Sequence, residues 1–253
     1  MLSEERRRKI LELLEHDGRV LVSDLARRFA TSLITVRKDL EQLQRDGRIK
    51  RAHGGALPVD SIALRDPTLH EKEQLHRKEK LRIAAAAAKL VRPGQVIILD
   101  SGTTTTAVAR AVKDVRNLTV VTNAVNIAAD LAGTGVEVML TGGMLRKNSF
   151  SLVGPLAEET IQQITADLLF LAVDGFDVEY GLTTPNLQEA KVNRMMVESA
   201  KRSVVVCDSS KFGRRSLSQI TVASAVNQVI TDSGVSTKDL RELRNAGVKV
   251  TVV

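Results

Sequence analysis

The chain has 253 residues, enough for one large domain or two, with 43% hydrophobic residues and a formal net charge of +7. Its single cysteine excludes an internal disulfide, and its four histidines lack the mutual spacing of a metal site. No apolar run approaches the ~18 residues that a membrane-spanning helix needs, and the charged N-terminal segment does not resemble a secretory signal. We therefore expect a cytoplasmic protein with no metal, no cofactor and no membrane partner.

Residues 1–57 are highly charged, and their apolar residues follow helical spacing. Met1–Ala56 contains thirteen Lys and Arg against nine Asp and Glu, a net charge of +4. Three short helices are predicted here, with Ser23 as the N-cap of the second and Ser32 as the N-cap of the third. The segment RIKRAHGGAL, which follows them, predicts a short hairpin. Three helices followed by a hairpin predict a winged helix-turn-helix.

The third predicted helix carries a polar and cationic face opposite its apolar residues Val36 and Leu40. Arg37 can bond a guanine edge through two N–H groups, whereas hydroxyl and ammonium groups suit phosphate oxygens. The hairpin adds further cations and a glycine turn. The predicted DNA-binding residues are Ser23, Ser32, Thr35, Arg37, Lys38, Lys50, Arg51, His53 and Gly54.

The rest of the chain is predicted to be a linker followed by an α/β domain. Residues 58–82 contain two prolines and many charges, which is typical of a linker running into a connecting helix. In residues 83–253, helical patterns alternate with strand patterns, which predicts a mostly parallel sheet covered on both faces. The predicted strands are Val96–Leu99, Thr119–Thr122, Val136–Leu140, Leu168–Val173, Ser203–Cys207, Gln228–Ile230 and Val248–Val252.

Polar residues follow these strands at their carboxyl ends, where parallel sheets bind ligands. The run SGTTTT offers hydroxyls and the N–H groups of a helix N-terminus, which suit a phosphate, and Lys211 adds a cation. The run lacks a Walker lysine, which argues against a nucleotide loop. The predicted ligand-binding residues are Asp100, Ser101, Gly102, Thr103, Thr104, Thr105, Asn123, Gly142, Gly143, Asp174, Glu189 and Lys211.

The pattern S..TVR.DL..L...G.I.R.HGGA resembles the winged helix-turn-helix of the DeoR family of bacterial sugar-catabolism repressors. Two residues depart from the family pattern. Thr31 stands where the family commonly has valine, and Lys38 stands where it commonly has arginine. The segments ILDSGTTTTAVA, VVTNAVNIA and DSSKFG resemble the sensor domain of that family. The resemblance implies a sensor with a ribose-5-phosphate-isomerase-like, Rossmann-like fold and a phosphorylated sugar as inducer. The block MLRKNSFSLVGPLAEE resembles repressors of amino-sugar use, particularly of the N-acetylgalactosamine pathway.

Two functions compete at this point. The first is a homo-oligomeric repressor, dimer or tetramer, that binds operator DNA and is induced by a phosphorylated sugar. The alternative is a sugar-phosphate isomerase or deaminase. An enzyme of that kind would not need a winged helix, and its general base would have to lie beside the reacting carbons. No acid in the sequence has neighbours that tune it for that task, so we favour the repressor. Activation in place of repression stays open.

Overall fold

The computed structural model describes residues 3–17, 20–52, 54–58 and 66–253. It divides into two compact units, Met1–Arg65 and Asp66–Val253. The predicted domain boundaries at 57 and 82 stay predictions, but the helices that precede residue 83 pack within the second unit. Among the described residues, no helix is long and apolar enough to cross a membrane.

The first unit contains three helices and a small antiparallel sheet with the strand order β1-β3-β2. Ile10, Leu14, Leu25, Val36 and Leu40 are almost fully buried and form its core. The predicted winged helix-turn-helix is confirmed. Its elements are α1 (Ser3–Asp17), β1 (Val20–Leu21), α2 (Val22–Arg28), α3 (Leu33–Arg45), β2 (Ile49–Ala52) and β3 (Gly55–Pro58).

Strand β1 was missed because its two residues give no alternating pattern. It pairs with β3 so closely that a Cβ atom at Gly55 would lie 2.0 Å from the carbonyl oxygen of Val20. Only glycine fits that position, which is why the second glycine of the wing is needed. The predicted N-cap Ser23 is wrong, since α2 begins at Val22 with Leu21 as its N-cap and Ser23 lies in the first turn.

The second unit is an α/β domain built on a seven-stranded parallel sheet with the order β15-β14-β12-β9-β4-β5-β6. Successive side chains point to opposite faces of the sheet, so Ile98 and Leu169 join one core cluster while Ile97 and Phe170 join another. The predicted fold class is confirmed.

Each of the seven predicted strands belongs to this sheet, and the observed bounds differ by at most two residues at either end. The elements are α4 (Leu69–Gln74), α5 (Arg77–Ala88), β4 (Val96–Leu99), α6 (Thr103–Val112), β5 (Thr119–Thr122), α7 (Val125–Leu131), β6 (Glu137–Leu140), β7 (Met144–Arg146), β8 (Ser151–Val153), α8 (Pro155–Gln162), β9 (Leu168–Leu171), β10 (Gly175–Asp177), β11 (Gly181–Thr184), α9 (Leu187–Ser199), β12 (Ser203–Val206), β13 (Ser218–Thr221), β14 (Gln228–Thr231), α10 (Thr237–Asn245) and β15 (Lys249–Val252).

The strand order reverses beside β4, whose successor β5 lies on one side while β9 lies on the other. Such a switch point leaves a crevice beyond the carboxyl ends of the two strands, and ligands of doubly wound sheets bind there. Asp100 directly follows β4, and its Oδ1 accepts the N–H of Ala172, just after β9, at 3.0 Å. The fold therefore places the aspartate of the SGTTTT loop at the crevice.

Two further antiparallel sheets, β7-β8 and β10-β11-β13, belong to the second unit. Sequence reasoning missed them because their strands have only three or four residues and are interrupted by turns. They bring Arg146, Ser151 and Thr184 to Glu189 of α9. The sequence's only cysteine, Cys207, is buried at the end of β12, and burial raises the pKa of its thiol far above the ordinary value.

Candidate functional site: a cationic helix face and a polar crevice

Helix α3 of the first unit has the charge distribution of a recognition helix. Ser32 caps it by accepting the backbone N–H of Thr35 at 3.0 Å, and the two hydroxyls lie 2.8 Å apart. Val36 and Leu40 are buried, whereas Arg37 and Lys38 are exposed. Neither cation makes an ion pair with any residue that the structure describes. Their charges are therefore available to a polyanion.

The exposed end of α3 also contains apolar residues that sequence reasoning missed. Leu33 and Ile34 lie in the first turn and are 48% and 65% exposed. The N-terminal residues of a recognition helix contact base edges, and apolar side chains there meet the methyl group of thymine. Two large exposed aliphatic residues beside a helix cap are the signal that could have identified them.

The orientation of α3 is fixed by a buried ion pair. Nε of Arg6 on α1 lies 2.5 Å from Oδ2 of Asp39, and both side chains are nearly inaccessible to water. Asp39 was not singled out from the sequence. The spacing Val36, Asp39, Leu40 and Leu43 on the buried face is the signal that could have found it.

The wing residues lie as follows. Lys50 is exposed on β2, and Arg51 is half-buried beside it. Gly54 forms the turn with a φ of +73°, and its carbonyl accepts the N–H of Val22 at 2.8 Å, which ties the wing to α2. His53 lies outside the described residues.

In the second unit, the SGTTTT loop leads into α6. Gly102 is the N-cap, and a Cβ there would lie 2.7 Å from Cβ of Ala172, so glycine is required. The hydroxyls of Thr105 and Thr106 both donate to the carbonyl of Gly102 and are used locally. Ser101, Thr103 and Thr104 make no hydrogen bond through their hydroxyls within the described part of the chain. The first-turn N–H groups of α6 add free donors.

Two buried acceptors at the strand ends have no partner. Oδ2 of Asp100 and Oδ1 of Asn123 are inaccessible to water and bond no other described residue. Burial, together with the nearby charges of Glu189 and Asp174, raises the pKa of Asp100 well above its usual range. Unsatisfied buried polar atoms are costly, and a ligand hydroxyl would satisfy them.

Glu189 is held by four donors. Oε1 accepts from Ser149 at 2.5 Å and Ser151 at 2.6 Å, while Oε2 accepts from Arg146 at 2.6 Å and Thr184 at 3.3 Å. A carboxylate has about four lone-pair sites, so this one is fully occupied. A general base must have an oxygen free to take a proton from its substrate, and the oxygens of Glu189 are already used by these contacts.

Asp174 is also engaged. Its Oδ1 lies 2.7 Å from Nζ of Lys72, and its Oδ2 lies 3.3 Å from the hydroxyl of Thr184, whose single hydrogen it shares with Oε2 of Glu189. Gly142 and Gly143 have φ values of +74° and +116°, and a Cβ at Gly143 would lie 2.7 Å from the carbonyl oxygen of Val153. The turn after β6 therefore requires glycine, and ligand contact by either residue stays a prediction.

The charges of Lys72 and Lys211 act on the buried ammonium group of Lys80. Lys211 is half-buried in a short 3-10 helix whose next residue, Phe212, stacks on Phe176 at 5.0 Å. Lys80 of α5 is only 6% exposed, and its Nζ donates to the carbonyl of Lys72 at 2.5 Å. Burial lowers the pKa of Lys80 to about 8, Asp208 opposes that shift, and the charges of Lys211 and Lys72 add to it.

Lys80 was missed by sequence reasoning, although a signal exists. It occupies the same helical face as the buried residues Ile83, Ala84 and Ala87, at the spacing i, i+3, i+4 and i+7. A lysine in the buried stripe of a helix needs an anion or a polar cavity to offset its desolvation. No group of His, Cys, Asp or Glu in the described residues is arranged to hold a metal ion.

Comparison with known proteins gives a consistent result. The model of the DeoR-like helix-turn-helix domain matches residues 6–61, and that of the DeoR C terminal sensor domain matches residues 75–233. The putative aga operon transcriptional repressor of Escherichia coli O157:H7 is 42% identical over 98% of this chain and 93% of its own length. The HTH-type transcriptional regulator GlpR of Haloferax volcanii is 42% identical over 99% of this chain and 98% of its own length.

Among solved structures, ribose 5-phosphate isomerase A from Methanocaldococcus jannaschii covers 54% of this chain and 54% of its own, with a TM-score of 0.40 and 17% identity. The fold assignment does not depend on this similarity, because the strand order and the family matches establish it.

Proposed function

Because this chain belongs to the DeoR family of transcriptional regulators, we propose that it represses a carbohydrate-utilisation operon and leaves the operator when a phosphorylated sugar binds its second unit. The chain is a regulator and not an enzyme. It acts in the cytoplasm as a homo-oligomer, so that paired recognition helices read the two half-sites of a palindrome about one helical turn apart.

The DNA contacts follow from the exposed part of the first unit. Arg37 reads a guanine edge, while Lys38 and Lys50 bond phosphates. The hydroxyl of Ser32 serves mainly as the helix cap, because the N–H of Thr35 already uses it. Leu33 and Ile34 contact thymine methyl groups at the N-terminal end of α3.

The effector contacts follow from the unsatisfied groups of the crevice. The phosphate is held by Ser101, Thr103, the N–H groups that start α6, and the ammonium groups of Lys80 and Lys211. The sugar hydroxyls bond the free oxygens of Asp100 and Asn123.

The observation that carries this proposal is the set of unpartnered donors and acceptors in the crevice. The crevice has donors for a phosphate and free acceptors for hydroxyls in Asp100 and Asn123, while Glu189 and Asp174 are already bonded by neighbouring groups. Such a site suits the binding of a sugar phosphate, and the turnover assay below tests whether Asp100 acts as a base.

Fluorescence anisotropy with the promoter fragment of the chain's own operon tests the proposal. The affinity is expected to fall steeply with added salt, because several cations contact phosphates. N-acetylgalactosamine 6-phosphate, galactosamine 6-phosphate and glycerol 3-phosphate are then added in turn, and one of them is expected to release the DNA. Arg37→Ala should weaken binding by about 1–3 kcal/mol and relax the preference at one base pair.

Lys249→Ala is the matched control, since it removes an exposed cation from the second unit. No binding at low salt would overturn the proposal. Steady turnover of a sugar phosphate by the purified chain would favour the isomerase alternative.

A further inference from the structure

The second unit begins with a polar segment, residues 66–74, that we call the clasp. It attaches near β7 at its start, where Oδ2 of Asp66 lies 2.5 Å from Nη2 of Arg146 and 3.1 Å from Nδ2 of Asn148. The backbone N–H of Leu69 also donates to the carbonyl of Asn148 at 2.6 Å. Together with the bond from Nδ2 of Asn148 to the carbonyl of Asp66 at 3.3 Å, four contacts within four residues hold the start of the clasp.

The other end of the clasp attaches to the crevice. Lys72 pairs with Asp174 at 2.7 Å, and about four-fifths of each side chain is buried. The carbonyl of Lys72 also accepts the ammonium group of Lys80. The clasp thus shares its partners with the site proposed to hold the effector.

Arg146 links the clasp to the site directly. Its Nη2 bonds Asp66, and its Nη1 lies 2.6 Å from Oε2 of Glu189. One guanidinium group therefore forms an ion pair with a carboxylate of the clasp and with a carboxylate of the crevice. A ligand that draws Arg146 towards the crevice weakens its bond to Asp66.

The clasp has little apolar attachment. None of the residues of α4 is buried, and its helix is capped by its own Thr68 and Glu71, which form a reciprocal capping box. The helix end is therefore satisfied without help from the rest of the unit. Ion pairs and hydrogen bonds hold the segment, and polar groups of a ligand can compete for their partners.

We propose that the clasp is displaced by the bound effector. The sugar hydroxyls bond Asp174 in place of Lys72, and the phosphate attracts Lys72, Lys80 and Arg146. The contacts that hold the clasp are then broken, and the clasp detaches. Asp66 directly follows the last residue of the first unit. When the clasp detaches, the chain that leads to the first unit is therefore no longer held by the contacts of Asp66. This inference rests on the proposed function, since it needs a ligand at the crevice.

Hydrogen exchange on the full chain tests it. The probes are N-acetylgalactosamine 6-phosphate, galactosamine 6-phosphate and glycerol 3-phosphate, each first screened by its effect on the melting temperature. A probe that binds should slow exchange at the start of α6 and accelerate exchange of the Leu69 amide, because its acceptor, the carbonyl of Asn148, lies outside the clasp.

Two variants that weaken the clasp provide an independent test. Asp66→Asn and Lys72→Met should each bind the probe about 5-fold more tightly and bind the promoter fragment more weakly, because the closed clasp no longer competes. Lys201→Met is the matched control, since Lys201 forms an exposed ion pair with Asp167 at 2.9 Å.

The outcomes separate the two proposals. Slower exchange at both α6 and Leu69 shows that the ligand closes the clasp, and it overturns this inference while leaving the sugar-phosphate effector intact. Unchanged exchange at Leu69 also overturns this inference and leaves the sugar-phosphate effector intact. Weaker probe binding by both variants would mean that the clasp contributes to the ligand site instead of opposing the ligand. If no probe binds, the effector class is wrong and displacement by it falls as well.

Discussion

The exposed face of α3 and the crevice of the second unit use cations in opposite ways. On α3, Arg37 and Lys38 are exposed and have no ion-pair partner in the described part of the chain. In the second unit, Lys72, Lys80 and Arg146 are largely buried, and each is bonded by a neighbouring group. The exposed cations suit a long polyanion, which can approach them from many directions. The buried cations suit a small anion that the site encloses.

The difference lies in when desolvation occurs. Exposed cations lose water only when DNA arrives, so salt competes with them and the interaction is screened. Buried cations lose their water during folding, and their interaction with an anion in a medium of low polarity is stronger. The predictions below test this contrast, from the largest expected effect to the smallest.

Asp39→Ala should destabilise the first unit by about 3 kcal/mol, because it removes the buried carboxylate that pairs with the guanidinium of Arg6. Native-state hydrogen exchange of the Leu40 and Leu43 amides measures this, with roughly 100-fold faster exchange expected. The exposed Glu41→Ala on the same helix is the control. Equal exchange in both variants would contradict the idea that the buried pair orients α3.

Lys80→Met should weaken binding of a phosphorylated sugar about 10- to 100-fold, since a charge-assisted contact is lost. The same change should not lower the melting temperature, because it removes a buried charge whose pKa is already lowered. Calorimetry and thermal unfolding measure the two effects. A large loss of stability would show that Lys80 is structural and would break the contrast between the units.

The affinity for the effector should fall about tenfold as the pH rises from about 7 to about 9. The pKa of Lys80 is about 8 in the free chain, so its ammonium form is lost above that pH. The folding equilibrium moves the other way, because the unfolded chain holds this proton up to about 10.5 and stability rises between the two values. Titrations at several pH values check the fall, and Lys80→Met should abolish it.

Ile34→Ala should weaken operator binding about 5-fold and reduce the preference for one A·T pair, because a methyl contact is lost. Its dependence on salt should stay unchanged, since no phosphate contact is removed. Leu217→Ala, an exposed apolar residue of the second unit, is the control. A reduced salt slope would place Ile34 beside the DNA backbone instead.

The regular parts of the fold were predictable because they have long, periodic patterns. All seven strands of the parallel sheet and the wing hairpin follow from alternation or apolar runs. The Ser32 cap follows from side-chain chemistry and is confirmed. The Ser23 cap failed because β1 carries the chain directly into α2, and backbone geometry decided the helix start.

Most of the predicted crevice residues follow a strand of the main sheet, and Glu189 of α9 is the exception. Asp100 and Asn123 do so, whereas Arg146 and Ser149 come from a small antiparallel sheet and its turn, which sequence patterns do not reveal. Lys72 lies far along the chain from its partner Asp174, and such long-range pairing leaves no local pattern. Lys80 does leave one, because it falls in the buried stripe of α5, but only the structure shows which charged groups surround it.

The single buried thiol has a practical consequence. Cys207 is inaccessible, and its high pKa keeps it protonated, so maleimide reagents will not modify the folded chain. A cysteine introduced at the exposed position Gln74 would therefore be the only reactive one, with no native cysteine to remove. A fluorophore attached there would report each opening of the clasp as a change in emission, which makes the native sequence a ready scaffold for an optical biosensor of its own effector.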